Sequence, residues 1–106
     1  MYELSIYVPS ESNGVVVDYN ERRAVLEEVA ENLISKFGGA TSVEGRGWWS
    51  SNERTATENV DVIHSVVEHR DEAHDAAVAL ATYIKLQLDQ ECVMYKIVEL
   101  EEVGFI

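Results

Sequence analysis

The segment from Asp18 to Gly39 constrains the fold of this chain more than any other, because it reads as an amphipathic helix with a signal at each end. Apolar side chains recur through it at helical spacing, and acidic and polar side chains fill the opposite side. Asp18 is placed to cap the first turn, with Glu21 at the spacing of a capping box. Gly38 ends the pattern, since glycine enters the left-handed conformation without strain. We predict a helix over residues 18–37 with one buried face.

The rest of the chain carries four strand patterns and one more helix. Residues 2–8 alternate between apolar and polar side chains, and Pro9 closes the strand because proline cannot donate to a sheet ladder. An alanine-rich stripe predicts a second helix over residues 72–88, capped by Asp71. The second and third strands are expected to form an antiparallel hairpin. The predicted strands span residues 2–8, 40–49, 59–68 and 92–103.

The element order β-α-β-β-α-β predicts an α+β, ferredoxin-like fold, a four-stranded antiparallel sheet with both helices on one face. The length of 106 residues fits one domain over residues 1–106. We expect the third strand to lie between the first and second, and the last strand to pair with the second.

The third and last strands are apolar on both sides, which indicates that both faces of the sheet are covered. Two helices cover only one face, so a second copy of the chain is the expected cover for the other. We predict a homodimer or homotrimer that buries Tyr95, Ile97, Ile63 and Val67 on the open face.

Acidic residues dominate the charge: 20 Asp and Glu face 8 Lys and Arg, for a net charge of −12. This balance argues against a nucleic-acid binder and against a protein of anionic membranes, because both need a basic surface. The first residues do not read as a signal peptide, no apolar run approaches the ~20 residues of a membrane helix, and Cys92 is the single cysteine. We expect a cytoplasmic protein.

The most unusual stretch is residues 37–49, which holds four of the 6 glycines. Gly45 and Gly47 flank Arg46, and Trp48 and Trp49 follow. Glycine permits the close approach of a ligand, arginine binds phosphate or carboxylate, and tryptophan offers a flat face to a ring. The pattern predicts a site for an anionic, ring-bearing small molecule. The alternative is a bulged strand with interface tryptophans, and the glycine spacing is neither a Walker loop nor a dinucleotide fingerprint.

The sequence Phe-Gly-Gly-Ala-Thr after a helix, then Gly-x-Gly-Trp, then Glu58 at the next strand, resembles a group of small uncharacterised bacterial and phage proteins. They are similar in plan to PII-like and other ferredoxin-like oligomers. The resemblance covers residues 29–67 and implies a ferredoxin-like subunit that assembles and binds a small ligand between subunits. The segment 50–57 is shorter than the nucleotide-binding loop of PII signalling proteins, which argues against their regulatory mechanism.

We therefore predict a non-catalytic, homo-oligomeric protein that binds an anionic, nucleotide-like ligand, either to sequester it, as a phage protein would, or to sense it. No cofactor, metal or catalytic residue is assigned; Glu58 and His64 are the acid–base candidates if the alternative, a small enzyme, holds. The turn around His69 and His74 reads as solvated surface rather than a metal site. A second alternative is an acidic protein–protein interaction module or a nucleic-acid mimic. The predicted ligand-binding residues are Gly45, Arg46, Gly47, Trp48, Trp49 and Glu58.

Overall fold

A computed structural model describes residues 1–12, 14–51 and 54–106. Positions 52 and 53 of the turn expected after the second strand lie outside these residues. Both predicted helices are present, and each lies within two residues of its expected bounds. The elements are β1 (Tyr2–Pro9), β2 (Glu11–Ser12), β3 (Val15–Val16), α1 (Tyr19–Phe37), β4 (Thr41–Ser51), β5 (Arg54–Val67), α2 (Arg70–Gln87) and β6 (Tyr95–Glu99).

The main sheet is antiparallel and has the order β4-β5-β1-β6, which confirms the ferredoxin-like α+β fold. The expected pairing of the last strand with the second was wrong: β6 pairs with β1, with Leu4 opposite Ile97. Each β-α-β unit skips one strand position, which leaves room for a strand of the other unit. The second crossover therefore carries β6 past β1 to the far edge.

The core lies between the two helices and the face of the sheet that they cover. Leu4, Ile6 and Val8 point into it from β1, and the alanines of α2 let that helix lie close to the strands. Burying a Leu, Ile or Val side chain contributes about 1.5–3 kcal/mol, so this layer is the main source of stability. The other buried core side chains are Val25, Val29, Leu33, Ile63, Val67, Ala73, Ala76, Ala77, Leu80, Ile84 and Leu88.

The ends of α1 are as predicted, and the start of α2 is not. The Asp18 carboxylate accepts hydrogen bonds from the backbone N–H groups of Asn20 (2.9 Å) and Glu21 (3.1 Å), and Gly38 closes the helix at φ 90°. The expected Asp71 cap was wrong, because α2 begins at Arg70 and its N-cap is His69, whose side chain makes no capping bond. Asp71 lies in the first turn, where its charge interacts favourably with the helix dipole.

The sheet face opposite the helices, called the open face below, is partly apolar, but its residues differ from those expected. Ile63 and Val67 are buried in the core, and Ile97 packs against it. Tyr95 lies two residues before Ile97 and therefore on the same face of β6. Its ring meets that of His74 on α2, with centroids 6.4 Å apart. The predicted assignment was therefore one residue out of phase, because the pairing of Ile6 with Ile63 fixes which side of β5 faces the helices.

The β4–β5 hairpin extends beyond the rest of the sheet. β1 ends at Pro9, opposite Val60, while the pairing of β4 with β5 continues to Ser51 and Arg54. Beyond Val60 the hairpin is a two-stranded ribbon. The ribbon carries most of the predicted ligand-binding residues away from the core and leaves both of its faces open to a ligand.

Candidate functional site

A cavity of about 700 Å³ lies on the open-face side, where the ribbon leaves the sheet. We call it the ribbon cavity. Three parts of the chain contribute described residues to its lining: the end of β1 with the segment after it, the β4–β5 hairpin, and residues 89–94 between α2 and β6. Cavities of ligand sites have about 300–1,000 Å³, so this one has room for a small organic molecule.

Hydrogen bonds join the segment after β1 to the segment after α2 and fix the two walls of the cavity that they form. The side-chain amide of Gln90 donates to the carbonyl of Glu11 at 2.7 Å, and the Ser12 hydroxyl donates to the carbonyl of Asp89 at 2.6 Å. The backbone N–H of Val17 donates to the carbonyl of Ser10 at 2.8 Å, which closes the loop around β2 and β3. The loop after β1 is thus fixed to the end of α2.

Trp49 forms the aromatic wall of the ribbon cavity on the hairpin side. Its indole ring folds back over Gly47, and a Cβ at residue 47 would lie only 2.1 Å from Cζ3 of that ring. The absence of a side chain at Gly47 is thus what lets the ring lie against the strand. Trp49 remains 44% exposed, so part of its side chain is accessible to a ligand.

Glu58 brings a carboxyl group to the same cavity. The Ser10 hydroxyl donates to Oε2 of Glu58 at 3.5 Å. Burial raises the pKa of Glu58 above its usual value and the negative charge of Glu11 adds to the shift, while hydrogen bonds from Ser10 and Glu11 oppose it. The Glu58 carboxyl therefore takes up a proton more readily than the side chain of a fully solvated glutamate.

The structure divides the predicted site residues between two faces of the ribbon. Neighbouring residues of a strand point to opposite faces, so Trp49 lies on the open-face side and Arg46 and Trp48 on the helix side. Gly45 and Gly47 share the face of Trp49, and Glu58 is paired with Gly47. Two of the six predicted residues line the ribbon cavity, namely Trp49 and Glu58.

Sequence reasoning missed the cavity residues outside the hairpin, among them Tyr7 and Met94. Tyr7 had a weak signal, since it is an aromatic residue at an otherwise polar position of β1. Met94 and its neighbours had none, because only the folded sheet brings β1 beside the segment before β6. The backbone N–H of Tyr7 donates to the carbonyl of Met94 at 3.0 Å.

Carboxylates dominate the charge of the ribbon cavity. Its described lining residues include Glu11, Glu58, Asp89 and Glu91, and no lysine or arginine is among them. A negative lining repels phosphate and carboxylate groups of a ligand and favours neutral or positively charged ones. The cavity therefore suits the ring of the predicted ligand better than its anionic group.

A different polar cluster occupies the helix side of the ribbon. Arg22 of α1 is paired with Asp61 of β5, and the two side chains are 17% and 11% exposed. Glu44 lies directly opposite Asp61 across the hairpin. Arg46 is the diagonal neighbour of Asp61 on the same face. Nε of Arg22 is buried and has no hydrogen-bond partner among the described residues.

The histidines stand apart from the ribbon cavity. His64 lines a second cavity, of about 590 Å³, near the end of α1, which contains none of the six predicted site residues. His69 lies 3.8 Å from Glu68, and His74 packs on Tyr95. Within residues 1–12, 14–51 and 54–106 no three His, Cys, Asp or Glu side chains are grouped to hold a metal ion.

Neither of the two helices that the structure describes is long and apolar enough to cross a membrane.

Several solved structures share this fold at low sequence identity. A phage SAM lyase in complex with S-methyl-5′-thioadenosine matches 92% of this chain and 80% of its own, with a TM-score of 0.69 and 19% identity. A phage SAM lyase in the apo state matches 91% of this chain and 78% of its own, with a TM-score of 0.62 and 18% identity. The periplasmic divalent cation tolerance protein CutA from Archaeoglobus fulgidus matches 98% of this chain and 88% of its own, with a TM-score of 0.61 and 8% identity.

At these identities the likeness shows the ferredoxin-like fold alone. No protein-family model matches the chain, and no curated protein matches it. The glycine and tryptophan motif predicts a similarity to small bacterial and phage proteins. One of the structural neighbours is a phage protein. The motif itself stays a prediction.

Proposed function

We propose that this protein binds a nucleoside-like small molecule in the ribbon cavity, with the base stacked on Trp49. The observation that carries the proposal is the meeting of an aromatic ring held flat, a carboxyl group and about 700 Å³ of space at one place. Small-molecule sites are typically concave and mostly apolar with a few polar groups, and this cavity has that character.

Each part of the cavity has a role in this proposal. Trp49 supplies stacking, which contributes ~1–3 kcal/mol per base. Tyr7 and Met94 form the apolar wall on the sheet side. Glu58 accepts hydrogen bonds from hydroxyl or amino groups of the ligand, and the Ser10 hydroxyl that contacts it limits its rotation.

The charge of the cavity narrows the class of ligand. The expected anionic group is left out of the proposal, because carboxylates line the cavity and Arg46 lies on the other face of the ribbon. A neutral or positively charged nucleoside derivative fits better. The phage SAM lyase of the same fold was solved with S-methyl-5′-thioadenosine, a nucleoside without phosphate, which supports this choice.

The protein acts as a homo-oligomer in this proposal, and it sequesters or senses its ligand. Exposed apolar side chains on β4 support self-association, among them Val43 and Trp48. Surfaces of this kind typically contact a partner when they are contiguous.

A small enzyme is the second candidate, and one observation favours it. A carboxyl group whose pKa is raised inside a cavity is a candidate for proton transfer, and Glu58 is such a group. Mass spectrometry of the incubated ligand separates the two candidates. A binding protein returns the nucleoside unchanged, whereas an enzyme converts it and Glu58→Gln stops the conversion.

Calorimetric titration tests the binding proposal. S-methyl-5′-thioadenosine is expected to bind the native chain more tightly than adenosine monophosphate, because the cavity repels phosphate. Trp49→Ala is expected to weaken binding roughly tenfold through loss of stacking. Trp48→Ala is the matched control and leaves affinity unchanged. Tighter binding of the monophosphate, or equal effects of both variants, would contradict the proposal.

A further inference from the structure

The outer edge of β4 is the longer of the two edges of the sheet. β4 pairs with β5 on one side and, within the described residues, with nothing on the other over Thr41–Ser51. Proteins protect such edges with short strands, with proline and with charged side chains, lysine above all. The opposite edge follows this rule, since β6 has 5 residues and carries Lys96, whereas β4 has 11 residues and neither proline nor lysine.

Two charged residues of β4 point to the same face and form no ion pair among the described residues. Glu44 lies opposite Asp61, a like charge that is already paired with Arg22, and Arg46 lies opposite Asn59. Like charges directly opposite each other destabilise a strand pair. Among the described residues, Glu44 therefore lies opposite a like charge, and Arg46 has no carboxylate directly opposite it.

We propose that the outer edge of β4 pairs antiparallel with β4 of a second copy, in the register that places Gly45 opposite Gly45. In this register Glu44 of each copy lies opposite Arg46 of the other. The two opposite-charge pairs lie symmetrically about the twofold axis. The proposal specifies the surface for the self-association assumed above, and its charge pairs lie on the face of β4 opposite the ribbon cavity.

Neighbouring registers are less favourable. Moving the centre of symmetry to Glu44 places the two Glu44 side chains opposite each other, and moving it to Arg46 does the same for arginine. The register centred on Gly45 also brings Trp48 opposite Ser42 of the second copy. Trp48 is 65% exposed in the single chain, and this contact covers part of its ring.

Charge exchange tests the register. Glu44→Arg or Arg46→Glu alone places like charges opposite each other twice, and the dissociation constant of the dimer is expected to rise at least roughly tenfold. The double variant restores opposite charges and the dimer. Glu31→Arg, on the exposed side of α1, controls for the change in net charge. Sedimentation velocity at low ionic strength gives the mass, which for the native chain is expected to be twice 11.9 kDa.

Disulfide trapping gives an independent readout. Opposed Cα atoms of an antiparallel pair are about 4.5–5.5 Å apart, within the range that a disulfide spans. In a Cys92→Ser background, Gly45→Cys is expected to form a covalent dimer on oxidation, and Ser50→Cys on the same strand is not.

Three outcomes would overturn the interface proposal: a native chain that stays monomeric or forms trimers, a double variant that does not recover the dimer, or no selectivity of trapping for residue 45. A monomer that still binds the nucleoside would overturn the interface and leave the ribbon cavity intact. A dimer that binds no nucleoside would overturn the ligand site in the ribbon cavity and leave the interface intact.

Discussion

The indole ring of Trp49 lies over Gly47, so that a methyl group at residue 47 would come within 2.1 Å of the ring atom Cζ3. Gly47→Ala is therefore expected to displace the ring from the strand rather than unfold the chain. We expect a shift of the tryptophan emission maximum and a loss of nucleoside affinity of roughly tenfold, as stacking is lost.

Gly45→Ala is the matched control for this substitution. Gly45 lies on the same face of β4, but its Cβ would meet only Cγ2 of Val60, at 3.8 Å, which is an ordinary contact. Emission and affinity are expected to stay as in the native chain. Equal spectra for Gly47→Ala and the native chain would show that the ring does not depend on Gly47.

The pair of Arg22 and Asp61 predicts a large difference between two adjacent arginines of α1. Arg22→Met leaves the Asp61 carboxylate largely buried without its partner, and we expect a loss of about 3 kcal/mol in the free energy of unfolding. Arg23→Met removes the same charge from an exposed pair with Glu27 and should change stability little. Urea denaturation of both variants measures the difference, and equal losses would rule out a structural role of the buried pair.

The raised pKa of Glu58 predicts a pH-dependent effect on stability. The folded chain holds this proton more tightly than the unfolded chain, so the resulting stabilisation is present below about pH 4 and is lost as the pH rises through the folded pKa. Glu58→Gln removes this loss of stability at higher pH, because glutamine does not ionise. Its melting temperature is expected to exceed that of the native chain at neutral pH, and the excess should vanish near pH 4.

Glu91→Gln provides the comparison, because it removes one carboxylate from an exposed position of the same cavity. It is expected to leave the melting temperature nearly unchanged across this range. A Glu58→Gln variant that melts below the native chain at neutral pH would show that the carboxylate is stabilising there.

The residues that sequence analysis placed correctly are those whose structure depends on near neighbours. Asp18 and Gly38 end α1 through contacts within one turn, so the local pattern was sufficient. The pairing partner of β6 and the phase of Ile63 depend on strands far away in the sequence, and both were assigned wrongly. Local alternation shows that a strand has two faces, but only its register with a neighbour shows which one meets the helices.

The candidate site illustrates the same limit. Arg46, Trp48 and Trp49 are close in sequence and were assigned to one site, but strand alternation places Trp49 on the opposite face from the other two. Trp49 and Glu58 reach the ribbon cavity together because the hairpin pairs their strands. Tyr7 and Met94 join them through sheet order, which no pattern around the motif contains.

The two tryptophans allow the central claim to be measured directly, since each lies on a different face of the ribbon. Trp48→Phe leaves Trp49 as the single indole, and Trp49→Phe leaves Trp48. In a titration with S-methyl-5′-thioadenosine we predict a saturable change in emission for Trp48→Phe and none for Trp49→Phe. A change confined to Trp49→Phe, or no change in either variant, would contradict a nucleoside site in the ribbon cavity.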